Sequence, residues 1–214
     1  MNKDVTLKLD KFFSAGITKQ YKKGAVLVSP GQTSGIFFLK EGIVKRYAIS
    51  PNGEELTLNL YKPLSFFPLE YTVNGSLSHH YFETMTSATI IKVSSDKFLE
   101  FIKSEPEVLL DLVSRIYTGL EGFFQRMEYL MVGSANSRLI IELIIFAKRF
   151  GEKKGKSTLI NLKVTEKELA SLSGITRETV SREIHKLKNK GLLNYNKSTL
   201  VINDLSKLEE EIAV

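Results

Sequence analysis

Cysteine is absent from the 214-residue chain, and so is tryptophan. Without cysteine there can be no disulfide, thiol nucleophile, thiolate zinc site or cysteine-ligated iron–sulfur cluster. Proline is scarce, at five residues, and no apolar run reaches the ~18 residues that a membrane-spanning helix needs. The opening Met1-Asn2-Lys3-Asp4-Val5 has no apolar stretch of the secretory type, so a cytoplasmic protein with no membrane partner is expected. Neither a Walker-type phosphate loop nor a G-x-G-x-x-G fingerprint occurs. No Ser/His/Asp, paired-carboxylate or metal-ligand constellation stands at a meaningful spacing, so an enzyme is not expected.

What is present is ordinary for a globular protein: 43% hydrophobic and 25% charged residues, too apolar for wholesale disorder. The net charge of +6 is unevenly spread. Residues 1–132 carry 15 basic and 14 acidic side chains, residues 133–203 carry 14 and 6, and residues 204–214 carry one and four. A basic module joined to a near-neutral one is the electrostatic footprint of nucleic-acid binding. A solvated lysine-rich surface would give the same count, so the local pattern must decide.

The N-terminal part is β-like. After a helix candidate at Val5 to Phe13, short apolar runs at Val26–Val28, Ile36–Leu39, Ile43–Ile49, Leu56–Tyr61 and Thr86–Val93 read as strands. Pro51-Asn52-Gly53 between two of them is a hairpin signal, because Asn-Gly tolerates positive φ. Many short strands with glycine-bearing turns indicate a closed roll or sandwich. From Pro106, Leu109, Val113, Ile116, Leu120, Phe123, Met127 and Leu130 recur at alternating spacings of 4 and 3, a heptad seam. Such a stripe suits either packing on the roll or a parallel contact with a second copy, and a second apolar edge of Leu110, Leu112, Tyr117 and Phe124 leaves room for both.

The C-terminal part carries the sharpest pattern. Asn136 to Phe150 reads as a helix, and Gly151 to Lys156 as a lysine-rich loop. Thr165 with Glu168 three residues on is a capping box. Gly174 supplies a turn, and Thr176 caps a second helix whose inward positions are Val180, Ile184 and Leu187. Two short helices joined in this way form a helix-turn-helix, the second entering the DNA major groove. Gly191–Tyr195, the turn Asn196-Lys197-Ser198 and Thr199–Ile202 read as the hairpin of a wing. Solvent-facing Arg177, Glu178, Ser181 and Arg182 open the second helix. Arginine forks onto guanine O6 and N7, and a carboxylate accepts from cytosine N4. The plain alternative is a Glu178–Arg182 surface pair.

The order β-roll, long helix, winged helix resembles the cyclic-AMP receptor protein/Fnr superfamily of bacterial transcription regulators over nearly the whole chain. The resemblance is strongest at Thr176-Arg-Glu-Thr-Val-Ser-Arg182, and also covers Gly24, Gly35, Ile36–Gly42 and Pro106 to Met131. It implies an α+β fold: a cyclic-nucleotide-binding-like jelly roll (double-stranded β-helix) over 1–105, a dimerisation helix and hinge over 106–132, and a winged helix-turn-helix over 133–214. Arg177, Glu178 and Arg182 would read bases, with Thr165, Thr176, Ser181 and Lys186 completing the contacts to double-stranded DNA at a half-site resembling TGTGA. RNA polymerase and a second copy of the chain are the implied protein partners. The alternatives are an effector-gated regulatory module acting through a protein partner, or a haem-based gas-sensing regulator.

The ligand cassette departs from the family. Cyclic-nucleotide-binding members place Gly-Glu, then Arg-Ser, around the ribose and phosphate; here Pro68-Leu69 and His79-His80 stand in those places. Phe123 and Phe124 replace the hydroxyl-bearing contacts to adenine. An anionic phosphate buried beside Pro, Leu and Phe would lack a pairing charge, so cyclic AMP is not the expected effector. Phe66, Phe67, Phe123 and Phe124, with Tyr71 and Tyr81, either line an apolar small-molecule pocket or fill the core. His79 and His80 could bind an anion, sense pH or ligate haem, since a haem-based gas sensor exists in the superfamily, or form a plain exposed loop pair; adjacent residues of an extended chain point apart, so both do not easily ligate one metal. No cofactor is expected.

Overall fold

In the computed structural model, residues 3–32, 35–160, 162–196 and 199–212 are described. The elements in chain order are α1 (Lys3–Phe13), β1 (Ile17–Tyr21), β2 (Val26–Val28), β3 (Ile36–Glu41), β4 (Val44–Ile49), β5 (Glu55–Tyr61), β6 (Phe66–Phe67), α2 (Glu70–Asn74), β7 (Tyr81–Thr84), β8 (Ala88–Val93), α3 (Ser95–Ser104), α4 (Pro106–Val132), α5 (Ala135–Phe150), β9 (Gly151–Lys154), β10 (Ser157–Ile160), α6 (Glu166–Ser173), α7 (Arg177–Asn189), β11 (Leu193–Asn196), β12 (Thr199–Ile202) and α8 (Leu205–Glu210). Packing divides the chain into two units, Met1–Tyr117 and Thr118–Val214, so the division falls inside α4 rather than at its ends.

The first unit is a roll of two antiparallel four-stranded sheets, ordered β1-β8-β3-β6 and β2-β7-β4-β5. Period-two alternation explains how β3 serves both sides of its sheet. Phe37 and Leu39 join Val28, Val44, Phe67, Phe82 and Ile90 in one core cluster. Ile36 and Phe38 join Phe13, Phe66, Phe98, Val108 and Leu112 in another, where α1, α3 and the start of α4 cover the sheet. Gly42 makes the β3–β4 turn with φ of 93°, and a Cβ there would lie 2.4 Å from the Ser87 carbonyl oxygen, so no side chain fits. The expected strands, the Asn52-Gly53 hairpin and the helix from Pro106 are all present. Strands β1, β6 and β7 and helices α2 and α3 were not anticipated.

The second unit contains the end of α4, α5 to α8, and one antiparallel sheet ordered β11-β12-β10-β9. Here the expected lysine-rich loop at Gly151 to Lys156 is corrected: Gly151–Lys154 pairs with Ser157–Ile160 as a hairpin. Burial of Thr158 and Ile160, and pairing of β10 with β12, recruit this stretch into the sheet. Thr158 opposes Ile202 while Asn196 opposes Thr199. The β9–β10 turn and the β11–β12 connection therefore sit at opposite ends of the sheet. Lys197 and Ser198 of the wing turn lie outside the described residues.

Candidate nucleic-acid interface and effector site

The helix-turn-helix is built by local chemistry. Thr165 Oγ1 accepts from the Glu168 backbone N–H at 3.2 Å, and Glu168 Oε2 accepts from the Thr165 N–H at 2.7 Å, closing the expected capping box over α6. Gly174 ends α6 in the left-handed region, φ 63°, which costs glycine little. Thr176 Oγ1 accepts from the Thr179 N–H at 3.2 Å and starts α7. Val180, Ile184 and Leu187 anchor α7 in the core, while Arg177, Glu178, Ser181, Arg182 and Lys186 stand exposed, as do the cap residues Thr165 and Thr176. No Glu178–Arg182 pair forms among the described residues. Arg182 and Lys186 instead reach Glu183, at 3.4 and 2.9 Å. The Arg177 side chain, 70% exposed, lies 3.5 Å from Glu166 in the first turn of α6. The Tyr195 hydroxyl donates to the Val164 carbonyl at 2.8 Å. These two contacts gather the start of α7, the start of α6 and the wing-turn end of the sheet on one side of the unit.

On α4 the seven seam residues Leu109, Val113, Ile116, Leu120, Phe123, Met127 and Leu130 are all at least 39% exposed. So long an exposed apolar stripe is rarely left without a use. Phe123 and Phe124 are about half exposed, their ring centroids 6.3 Å apart. In the roll, by contrast, Phe66 and Phe67 are 6% and 1% exposed and belong to the two core clusters. That corrects their place in a ligand pocket: they fill the interior. Pro68 is buried, Leu69 is half-buried against the same core, and His79 is exposed.

His80 has a partner that sequence reasoning missed. Arg46, on the inward side of β4 two residues after the core residue Val44, places Nη2 2.7 Å from Glu70 Oε1 and 2.8 Å from His80 Nδ1. Arginine can only donate, so His80 Nδ1 accepts and the imidazole proton sits on Nε2. The signal available was a cation in register with an inward valine. Among the described residues no group of three or more metal-ligating side chains forms.

Two domain families match, in the order the geometry requires. The cyclic nucleotide-binding domain matches residues 18–105, and the Crp-like helix-turn-helix domain matches residues 137–211. The chain belongs to the Crp/Fnr superfamily. It is a transcription regulator with a DNA-binding helix-turn-helix, and not an enzyme. The transcriptional regulator SdrP of Thermus thermophilus is 28% identical over 198 residues, covering 90% of this chain and 93% of that one. The probable transcriptional regulator flp of Lacticaseibacillus casei is 24% identical over 192 residues, covering 90% and 85%. Among solved structures, a CRP/FNR-family regulator from Thermus thermophilus aligns with a TM-score of 0.71 at 26% identity, covering 92% and 98%. A CooA mutant from Carboxydothermus hydrogenoformans aligns with 0.79 at 25%, covering 95% and 90%.

The cassette of this Crp/Fnr regulator has a measurable signature. Burial first, and the Arg46 charge second, push His80 below the ordinary imidazole value, against an opposing pull from Glu70. As pH falls below ~6.5, the unfolded chain takes up the proton before the folded roll does, so stability falls with acidification in that window and is unaffected by His80 above it. His80→Gln should flatten this part of the curve. Melting temperatures of both proteins between about pH 7.5 and 5 check it, and parallel curves would contradict the pairing.

Proposed function

We propose that the chain works as a cytoplasmic two-fold homodimer that reads a near-palindromic operator, with half-sites about 10 base pairs apart centre to centre. The observation carrying this reading is the seam on α4, whose seven apolar positions are exposed in the protomer and repeat at heptad spacing. A second copy laid along it in parallel would bury the stripe and present two α7 helices on one side. Arg177, Glu178 and Arg182 are the base readers, because they are exposed on the first turns of α7 and Glu178 has no ion-pair partner among the described residues. Thr165, Thr176, Ser181 and Lys186 face phosphates. RNA polymerase is the partner at the promoter.

The controlling effector, in this reading, is not cyclic AMP. Pro68-Leu69 and His79-His80 supply no guanidinium for a cyclic phosphate, and Arg46 already faces Glu70 at 2.7 Å. Binding an anion there would first have to break an ion pair. Selection of duplexes from random DNA by the full-length protein tests the central claim. A near-palindrome with a G·C pair under α7 is expected in each half, and an enriched motif without symmetry or without that pair would refute it. In the same preparation, saturating cyclic AMP should leave the melting temperature unchanged, whereas a folded-state ligand at 100-fold its Kd would add ~2.7 kcal/mol.

A further inference from the structure

Within the second unit, the last turns of the seam helix are tied to α5 and to the helix-turn-helix by contacts that include the following. The Glu142 carboxylate on α5 is 2% exposed and accepts a fork from Arg126 on α4, Nε to Oε1 at 2.6 Å and Nη2 to Oε2 at 2.9 Å. Arg138 on α5 donates from Nη2 to the main-chain carbonyl of Leu130 at 2.9 Å. The Leu130 side chain, the last seam position, reaches the turn of the helix-turn-helix: a Cβ on Gly174 would sit 3.5 Å from its Cδ2. A small cleft lined by Arg126, Leu130, Arg138, Glu142 and Leu172 joins these contacts.

A buried ion pair is a poor source of stability, because desolvation of both charges offsets their attraction. Burial accordingly pushes the Glu142 carboxyl up, while the Arg126 charge pulls it down. What such a pair does supply is geometry, since two parallel N–H···O bonds admit one relative orientation. Arg126 is adjacent in sequence to the seam residue Met127. Fixing Arg126 on α5 therefore fixes the rotation of the seam face relative to α6 and α7.

We propose that Arg126 and Glu142 are positioning residues for DNA reading: their fork holds the reading helix in phase with the dimer seam and so sets the half-site spacing that the dimer accepts. This rests on the homodimer reading above. The test is a series of duplexes whose half-site separation changes in single base-pair steps, titrated with full-length wild type, with Arg126→Lys, and with the double variant Arg126→Met, Glu142→Leu. Each step rotates one half-site by about a tenth of a turn, so the wild type should lose about tenfold or more one step from its optimum. Arg126→Lys keeps the charge but not the fork, and the double variant removes both buried charges together. Both should flatten the spacing profile at least about threefold while binding to a single half-site is retained. A role in stability or charge alone would lower every affinity equally. Spacing profiles of both variants that superimpose on the wild type overturn the inference. A wild type indifferent to spacing overturns the homodimer reading, and the inference with it.

Discussion

Phe123→Lys and Ile116→Lys should each convert the protein to a monomer at micromolar concentration and cut operator affinity by about 10²–10⁴-fold. That is the range lost when the second half-site no longer binds intramolecularly. The side chains are 52% and 53% exposed in the protomer, so the folded unit loses little packing when either is replaced. A lysine at a seam position, however, would be buried against its own copy across the two-fold axis, and an unpaired buried ammonium is costly. Thermal unfolding should therefore shift only slightly once dimer dissociation is accounted for. Sedimentation of wild type and variants, alongside operator titration, checks both halves. A wild type that sediments as a monomer at micromolar concentration would remove the seam from the mechanism.

The second large effect lies at the start of α7. Arg177→Ala and Arg182→Ala should each weaken operator binding by ~1–3 kcal/mol and leave binding to unrelated duplex nearly unchanged. Neither change should unfold the protein. The arginines are 70% and 65% exposed; the Arg177–Glu166 contact at 3.5 Å is a surface pair that contributes little, and the buried Glu183, 3.4 Å from Arg182, keeps Lys186 at 2.9 Å when Arg182 is removed. Competition titrations with operator and scrambled duplex separate the two terms. An equal loss on both would mean that the arginines touch phosphates rather than bases.

What could be read from the sequence was local. The capping box at Thr165 and Glu168, the Gly174 turn, the Thr176 cap and the heptad stripe of α4 are set by residues three or four apart, and the structure has them where expected. The features missed depend on distant partners. β1 is a polar run, Ile17–Tyr21, that becomes a strand only because β8 pairs with it. β6 is two residues long and exists by pairing with β3. The lysines of β9 concealed a strand whose partner, β10, is itself held by β12. In the cassette, Phe66 and Phe67 looked equally suited to a pocket or a core, and the clusters around Phe13, Phe98 and Phe82 decided for the core. The Arg46–Glu70–His80 group joins β4 to α2 and the start of β7 across more than twenty residues of sequence, beyond the reach of any periodicity. Glu142 was hidden in the same way, a carboxylate within the apolar face of α5 whose partner is on the preceding helix.

The opposed ends of the second unit's sheet change what its positive charge means. Lys153, Lys154 and Lys156 flank the β9–β10 turn, exposed and without ion-pair partners among the described residues, at the end away from the wing turn and the start of α7. Lys148 and Lys190 are matched with Glu209 and Glu211 beside α8. Counterions are displaced from DNA only by cations that replace them at phosphates. If α7 reads the groove as proposed, Lys153, Lys154 and Lys156 stand at the end of the sheet opposite the DNA-reading face, away from the phosphates of their own half-site. The unit's affinity should be less sensitive to ionic strength than its basic residue count suggests, and the cations at the far end remain in solution as a field that draws the protein towards polyanions before any base is read.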